Sequence, residues 1–356
     1  AVTVAANDGW ELGVSGLINQ FVTFTDNKAT GNDVAEVRDG LLPAFLNFDM
    51  KAPTMNGLDI AAHISISPGT NQSSYAAFEQ REVYFTVDGS FGQILAGKAL
   101  GLYGSHNILT EQTLFGVGYG TGGNGGTTLG GIGLGYDYAA WRSQVKWTSA
   151  DMNGFKVALA VADSSQPSFR FAGTGGLPMS SLNTGEVFPT GAAVDSEDLR
   201  YEADLSYAGA FDGGSYTAWL SGVSESRDAL AEDLQAWTVG GTLAVGGFEA
   251  MAQYSDSEDG AADGTTTLEW SQYVVQAGYR FAGTTLVSAN YSKLEDDSSV
   301  ASGRVAGADE SDRITVGVYH DVNANLKLVA EYTKVENDDT DVLDQDIISL
   351  GGFVFF

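Results

Sequence analysis

Chemistry needs converging groups, and the histidines of this chain do not converge. His63, His106 and His320 stand far apart, with no His-x-x-x-His spacing to set two imidazoles on one helix face for a metal. No Gly-x-Ser-x-Gly elbow supplies a serine nucleophile, which leaves a Ser-His-Asp hydrolase without its first member. Cysteine is absent, so there is no thiol chemistry; the absence suits an oxidising, extracytoplasmic compartment. The glycine run from Gly120 to Gly126, GTGGNGG, lacks the Lys-Ser/Thr of a phosphate loop. Carboxylates cluster at Asp256–Asp259, Glu295–Asp297, Asp309-Glu310 and from Glu336 to Asp346. Asp338, Asp339 and Asp341 are the candidates for a structural Ca²⁺, although no cluster has the spacing of an EF-hand loop and a solvated acidic surface is the plainer reading. Catalysis is therefore not expected.

What remains is charge written at every second position. Lys51, Arg142, Lys146, Lys156, Arg200, Arg280 and Arg313 alternate with apolar residues, as do Asp49, Glu202, Asp204, Glu249 and Glu331. Period 2 is the mark of a strand, whose successive side chains point to opposite faces. The last eleven residues, DIISLGGFVFF, set Ile348, Leu350, Val354 and Phe356 on one parity and Ile347, Ser349, Phe353 and Phe355 on the other. Similar runs recur from Trp10 onward, with turn signals such as Asp88-Gly89, Asn153-Gly154 and Gly246-Gly247 between them. The pattern predicts about sixteen strands, with short turns on one rim and long polar or acidic connections on the other. A polar loop is read after Phe24, the longest connection spans Ala99 to about Gly135, and a second runs from Ser164 to about Glu197.

Composition agrees. Forty-six Gly against six Pro, with 11% aromatics, describes a β-rich chain with many turns. Lys+Arg 17 against Asp+Glu 46 gives a net charge of −29, which speaks against a nucleic-acid partner. Mean hydropathy is −0.06, yet long greasy strands would be adhesive edges in a soluble domain. A closed transmembrane β-barrel resolves the conflict: outward residues meet lipid, inward residues meet water, and closure satisfies every backbone group. All 356 residues are expected to form one such domain.

Three stretches resemble the trimeric porins of Gram-negative outer membranes. The terminal Phe356 matches that family's characteristic last residue. The run from Arg81 to Lys98, REVYFTVDGSFGQILAGK, is similar to the family's Arg-x₅-Leu-x-Gly-x-Phe-Gly-x₄-Gly-Arg segment before its third loop, with Val87 for Leu and Lys98 for Arg. The run from Arg142, RSQVKWTS, is similar to the strand after that loop. The resemblance implies an all-β, sixteen-stranded antiparallel barrel, a third loop (about 99–135) folded into the lumen, and a homotrimer. It also implies passive diffusion of small hydrophilic solutes and ions across the outer membrane, with lipid and lipopolysaccharide around the barrel and no cofactor. A sugar- or carboxylate-specific channel is the alternative, with Tyr103, Phe115 and Tyr119 available to stack a solute. The start at Ala1 is what removal of an export signal would leave. The family's acidic Pro-Glu-Phe signature is missing from the third loop.

The residues expected at the constriction or in the lumen are Arg38, Arg81, Lys98, Tyr103, His106, Glu111, Arg142 and Lys146, with Phe356 as the closing and assembly residue. Arg81 poses a conflict, since it shares parity with Val83, Phe85 and Val87 while the resemblance puts it inside.

Overall fold

The computed structural model describes residues 2–28, 31–70, 78–120, 127–163, 199–226, 232–260, 267–297, 310–338 and 344–356. Its strands are β1 (Val2–Asn7), β2 (Trp10–Asn27), β3 (Asn32–Arg38), β4 (Phe45–Lys51), β5 (Asp59–Pro68), β6 (Phe78–Glu79), β7 (Val83–Gly89) and β8 (Gly92–Leu100). After the third connection come β9 (Trp141–Thr148), β10 (Phe155–Ala162), β11 (Arg200–Phe211), β12 (Gly214–Glu225), β13 (Leu234–Val245) and β14 (Phe248–Gly260). The series ends with β15 (Thr267–Phe281), β16 (Thr285–Asp296), β17 (Glu310–Asn323), β18 (Leu326–Asn337) and β19 (Gln345–Phe355).

These nineteen segments make sixteen staves of one closed antiparallel barrel. Three staves are composite. β3 and β4 lie end to end along one edge of β2, pairing with Phe21–Asn27 and Glu11–Leu17 and separated by a detour at 39–44. β6 and β7 share the far edge of β5, interrupted at 80–82. β19 and β1 share the other edge of β2: β19 pairs with Leu17–Asn27 and β1 with Trp10–Val14. Phe356 seals this seam by exchanging backbone hydrogen bonds with Gly16 at 2.9 and 3.0 Å. The stretch after Phe24, read as a polar loop, thus holds the whole of β3; its short length and inward Glu36 and Arg38 hid the alternation. Asp256–Asp259 likewise belongs to β14 and not to a loop.

Alternation is read out as exposure. Along β17, Ile314, Val316 and Val318 are exposed while Arg313 and Thr315 are buried, and β13, β16 and β19 repeat the pattern. A water-soluble fold would invert this order. Aromatic residues flank the apolar outer wall. Phe155, Tyr207 and Tyr216, and Phe248, Tyr279 and Phe281, stack near the short-turn rim with centroids 4.3 to 5.7 Å apart. Trp237 with Tyr254 and Tyr273 with Tyr291 do so toward the long-loop rim, at 5.4 and 5.9 Å. Two aromatic girdles around an apolar band are what a bilayer selects. Among the described residues no helix is long and apolar enough to cross a membrane.

Candidate functional site

Residues 101–120 leave β8 and residues 127–140 lead into β9 along the inward face of the wall, touching one stave after another. Leu102 N and Tyr103 N donate to Glu202 Oε2 on β11 at 2.7 and 3.2 Å, and Arg200 Nε holds the other carboxylate oxygen at 2.6 Å. The helix α1 (Ser105–Thr110) follows, entered through Gly104 at φ 80°, a left-handed conformation that glycine adopts without strain. Asn107 on α1 donates to Thr238 Oγ1 on β13 at 2.9 Å and accepts from Trp219 Nε1 on β12 at 3.0 Å. A 3₁₀ turn, Gln112–Phe115, is capped by Glu111, which accepts from Thr113 N. Gln112 N reaches Gln276 on β15 at 2.7 Å. Val117 N and Gly118 N then donate to Glu331 Oε2 on β18 at 2.7 and 3.0 Å, and Tyr319 OH takes Oε1 at 2.6 Å. Gly116 is forced here, because a Cβ on it would lie 1.9 Å from Glu331 Oε1. The return limb binds Gln272 on β15 through Gly135 N at 3.0 Å. Asp137 then gathers Trp270 Nε1, Gln272 Nε2, Ser257 Oγ and Tyr103 OH within 2.7 to 2.9 Å. Tyr103 thereby ties the outgoing limb to the returning one. Burial, and next the Asp137 carboxylate, push its phenol well above the ordinary range, so it stays a donor.

The same segment crosses the closure seam from inside. Phe115 meets Phe353 and Phe355 of β19 at 5.6 and 6.0 Å, and Phe353 meets Phe21 of β2 at 5.7 Å. On the β2 side, Asn19 receives Gly40 N and donates to Leu42 O, both at 2.8 Å, which shapes the 39–44 detour. That detour meets the loop through Leu41 N to Gly116 O and Thr128 N to Gly40 O, both at 2.9 Å. Inside the barrel Leu41, Ile108, Tyr119, Leu129, Leu134 and Tyr136 pack with inward Trp219, Met251, Trp270 and Val274 into an apolar core.

The expected residues separate into groups. Glu111 does not face the opening. It is buried against Arg313 of β17 at 3.4 Å, receives Asn290 of β16 and Thr113, and is fully shielded by the loop. Tyr103 and Tyr119 are buried, at 3% and 1% exposure, and offer no ring to a passing solute. His106 is half-buried, its Nε2 3.2 Å from Asp204 and its ring stacked on Trp219 at 5.3 Å. Arg142 and Lys146 point inward from β9; Arg142 Nε donates to Ala139 O at 3.2 Å. Arg38 is buried beside Glu36, with its NH1 3.0 Å away. Arg81 escapes the parity of β7 because the stave is broken at 80–82; it is buried, its guanidinium 5.8 Å from the Trp141 ring, and its charge acts on Asp39. Lys98 is a correction. It pairs directly with Val83 and Ser143, both on the outward parity, so it lies on the outer wall near the long-loop end and not in the bore. Among the described residues no three His, Cys, Asp or Glu side chains group as metal ligands. Asp338 donates its N–H to Glu310 O at 3.1 Å, and Asp339 and Asp341 lie outside the described residues.

Sequence reading missed the anchors. Glu202 and Glu331 carried the right signal, an acid on the inward parity, yet nothing marked them as acceptors for loop backbone. Asp137 was legible only as the acid between two tyrosines past the glycine run. Leu109 was missed entirely: α1 buries Asn107 and Ile108 against the wall and turns Leu109 into the bore at 56% exposure.

Residues 1–340 match the Gram-negative porin family. No curated protein matches the sequence. An anion-selective porin from Comamonas acidovorans superposes with TM-score 0.73 at 14% identity, covering 98% of this chain and 100% of that one. The outer membrane channel DcaP of Acinetobacter baumannii gives 0.66 at 13% identity, covering 100% of both chains. The trimer form of in-vitro folded OmpT from Vibrio cholerae gives 0.62 at 13% identity, covering 98% and 100%. The chain belongs to the Gram-negative porins, and its sixteen staves form an outer-membrane channel for passive diffusion of small hydrophilic solutes and ions.

Proposed function

We infer that the narrowest part of the channel lies between the exposed edge of the 105–115 segment and the opposite inner wall of β4 to β8. The observation that carries this reading is the attachment of residues 101–120 and 127–140 to the inward faces of β11, β13, β15, β16, β17 and β18 by side-chain hydrogen bonds. An element so fixed takes a constant share of the cross-section, and size exclusion follows from it. On the other side stand Asp49 and Lys51, both exposed, and the half-buried His63 between Asp49 and Glu82. The channel is a general diffusion pore with no enzymatic step.

Three copies side by side are the assembly we favour, in keeping with the family and with the trimer form of the Vibrio relative. Above the upper aromatic girdle the outer wall carries Lys28, Lys293 and Lys334, each paired with a carboxylate, at the height where lipopolysaccharide head groups would lie. Phe356, whose ring covers Gly16, serves as the closing residue and as the signal read during assembly.

Planar-bilayer recording tests the constriction. Leu109→Trp should lower single-channel conductance while three-step closure persists. Unchanged conductance would place the narrowest point elsewhere, and single-step closure would remove the trimer.

A further inference from the structure

The 105–115 segment presents an apolar edge to the opening, which a charge-filtering eyelet would not need. Leu109 is 56% exposed, Leu114 and Phe115 are half-buried, and Glu111, the acid of that stretch, is turned to Arg313. Exposed leucine inside a wet bore is costly to hydrate, and any solute that covers it recovers about 25 cal/mol per Å².

The wall beneath α1 is basic. Lys146, Ala160 and Glu202 form one cross-strand row on β9, β10 and β11, and Lys156 shares the row of Ser206 and Trp219 on β11 and β12. His106 of α1 stacks on Trp219, in the row of Lys156, and touches Asp204, two residues along β11 from the Glu202 of Lys146's row, so the helix overhangs the strip between the two lysine rows. With strands roughly 5 Å apart, each lysine root is about 10 Å from the staves that α1 covers. On this patch Arg142, Lys146, Lys156 and Arg200 face Glu202, Asp204 and Glu225, four bases to three acids. The acids are committed: Glu202 to Arg200 and two backbone N–H groups, Glu225 to Arg200, Asp204 to Ser221 and His106. Lys146 and Lys156 have no carboxylate partner among the described residues, and Lys156 is exposed.

We propose that Leu109, Lys146 and Lys156 are selectivity residues that favour small organic anions with an apolar body, such as short-chain or aromatic monocarboxylates, over cations of equal size. The carboxylate rests on the lysines and the apolar body on Leu109. The contact is transient, so the pore stays a general one. This proposal rests on the channel reading above and deepens it.

The test is block of chloride current in planar bilayers by sodium benzoate, sodium acetate and benzylammonium chloride, with reversal potentials in a KCl gradient. Benzoate should block more strongly than acetate, and benzylammonium least. Leu109→Ser should erase most of the gap between benzoate and acetate, about three- to ten-fold for one leucine face. Lys156→Gln, which removes an exposed charge, and Lys146→Gln, which removes a half-buried one, should each weaken block by both anions about two- to five-fold and shift the reversal potential toward cations. An unchanged folded band and conversion temperature on a detergent gel certify a folded barrel in each variant. Equal block by benzylammonium and benzoate, or reversal potentials indifferent to both lysines, would overturn the proposal while leaving the channel intact. Absence of any channel in the unaltered protein would instead overturn the channel reading, and this inference with it.

Discussion

Two arcs of the same wall, built on the same alternation, end in different physical states. From β11 through β19 inward side chains are covered by residues 101–120 and 127–140 and behave as a protein core: Thr238, Arg313, Thr315, Glu331 and Ile347 are almost wholly buried. From β4 through β10 the inward positions toward the short-turn end hold Asp49, Lys51 and Lys156, which are exposed, while Ser65, Gln144 and Ala160 nearer the long-loop end are buried. Strand periodicity specifies which face looks inward; only the path of the loop decides whether inward means core or water. A polar residue under the loop must find a partner or leave a large desolvation cost uncompensated, whereas one on the open arc need not.

That contrast is sharpest at Arg313. Its guanidinium has no exposed surface and meets Glu111, Ser292 and Thr315 at 3.4, 3.1 and 3.3 Å. Arg313→Leu strands the Glu111 charge in a dry site, for which about 3–5 kcal/mol is the usual penalty. We expect the temperature at which the folded band converts on a detergent gel to fall more than for any other single change discussed. The double variant Glu111→Gln/Arg313→Leu should regain most of the loss, because neither charge is then orphaned. If the double variant is no better than Arg313→Leu, the pair is not the anchor.

Glu331 comes next. It accepts two loop backbone N–H groups and one phenol. Glu331→Gln keeps the shape but surrenders charge-assisted bonds, worth about 1.5–3 kcal/mol in sum. The current should become noisier as the 116–118 turn loosens. Gly116→Ala attacks the same contact from the other side, since its methyl group would collide with that carboxylate. Quiet current in both variants would mean that the covered arc does not depend on this clamp.

The two arcs also divide what could be learned from residues alone. Barrel, strand number and inward parity were legible because lipid and water impose alternating polarity on every stave, and turn chemistry marks where each ends. Arg142, Lys146 and Lys156 could be assigned to the bore on that basis. Glu111 could not be placed: parity does not apply to a loop, and its fate depends on Arg313, 202 residues away. Lys98 went astray for a different reason. The segment's likeness to a family motif points Lys98 inward, whereas the strand's own alternation sets it with Ile94 and Ala96 on the outer face. Arg81 is the converse, a position whose apparent parity failed because the stave is broken just before Val83.

Phe115 tests whether the loop also staples the closing seam. It touches Phe353 and Phe355 edge-on and lies 5.5 Å from the Lys327 ammonium. Phe115→Ala removes two aromatic pairs at about 1 kcal/mol each. Amide exchange should rise at Ile347–Phe353 of β19 and at Asn19–Thr23 of β2, and not on β7 or β8. Uniform acceleration around the barrel would show a general loss of stability with no special tie to the seam.

The smallest effect is the one that most directly probes the open arc. Lys51 is exposed at the short-turn end of β4, opposite Glu11 and Ala61 across the neighbouring strands, and has no ion-pair partner among the described residues. A solvated side chain on a wet wall contributes charge to the pore and nothing measurable to folding. Lys51→Gln should therefore leave the gel-shift temperature unchanged and alter only the reversal potential, by less than Lys146→Gln because the mouth is wider and better screened than the segment beneath α1. A fall in stability comparable to that of Glu331→Gln would mean that β4 is as covered as β18, and the division of the wall into a dry arc and a wet one would no longer hold.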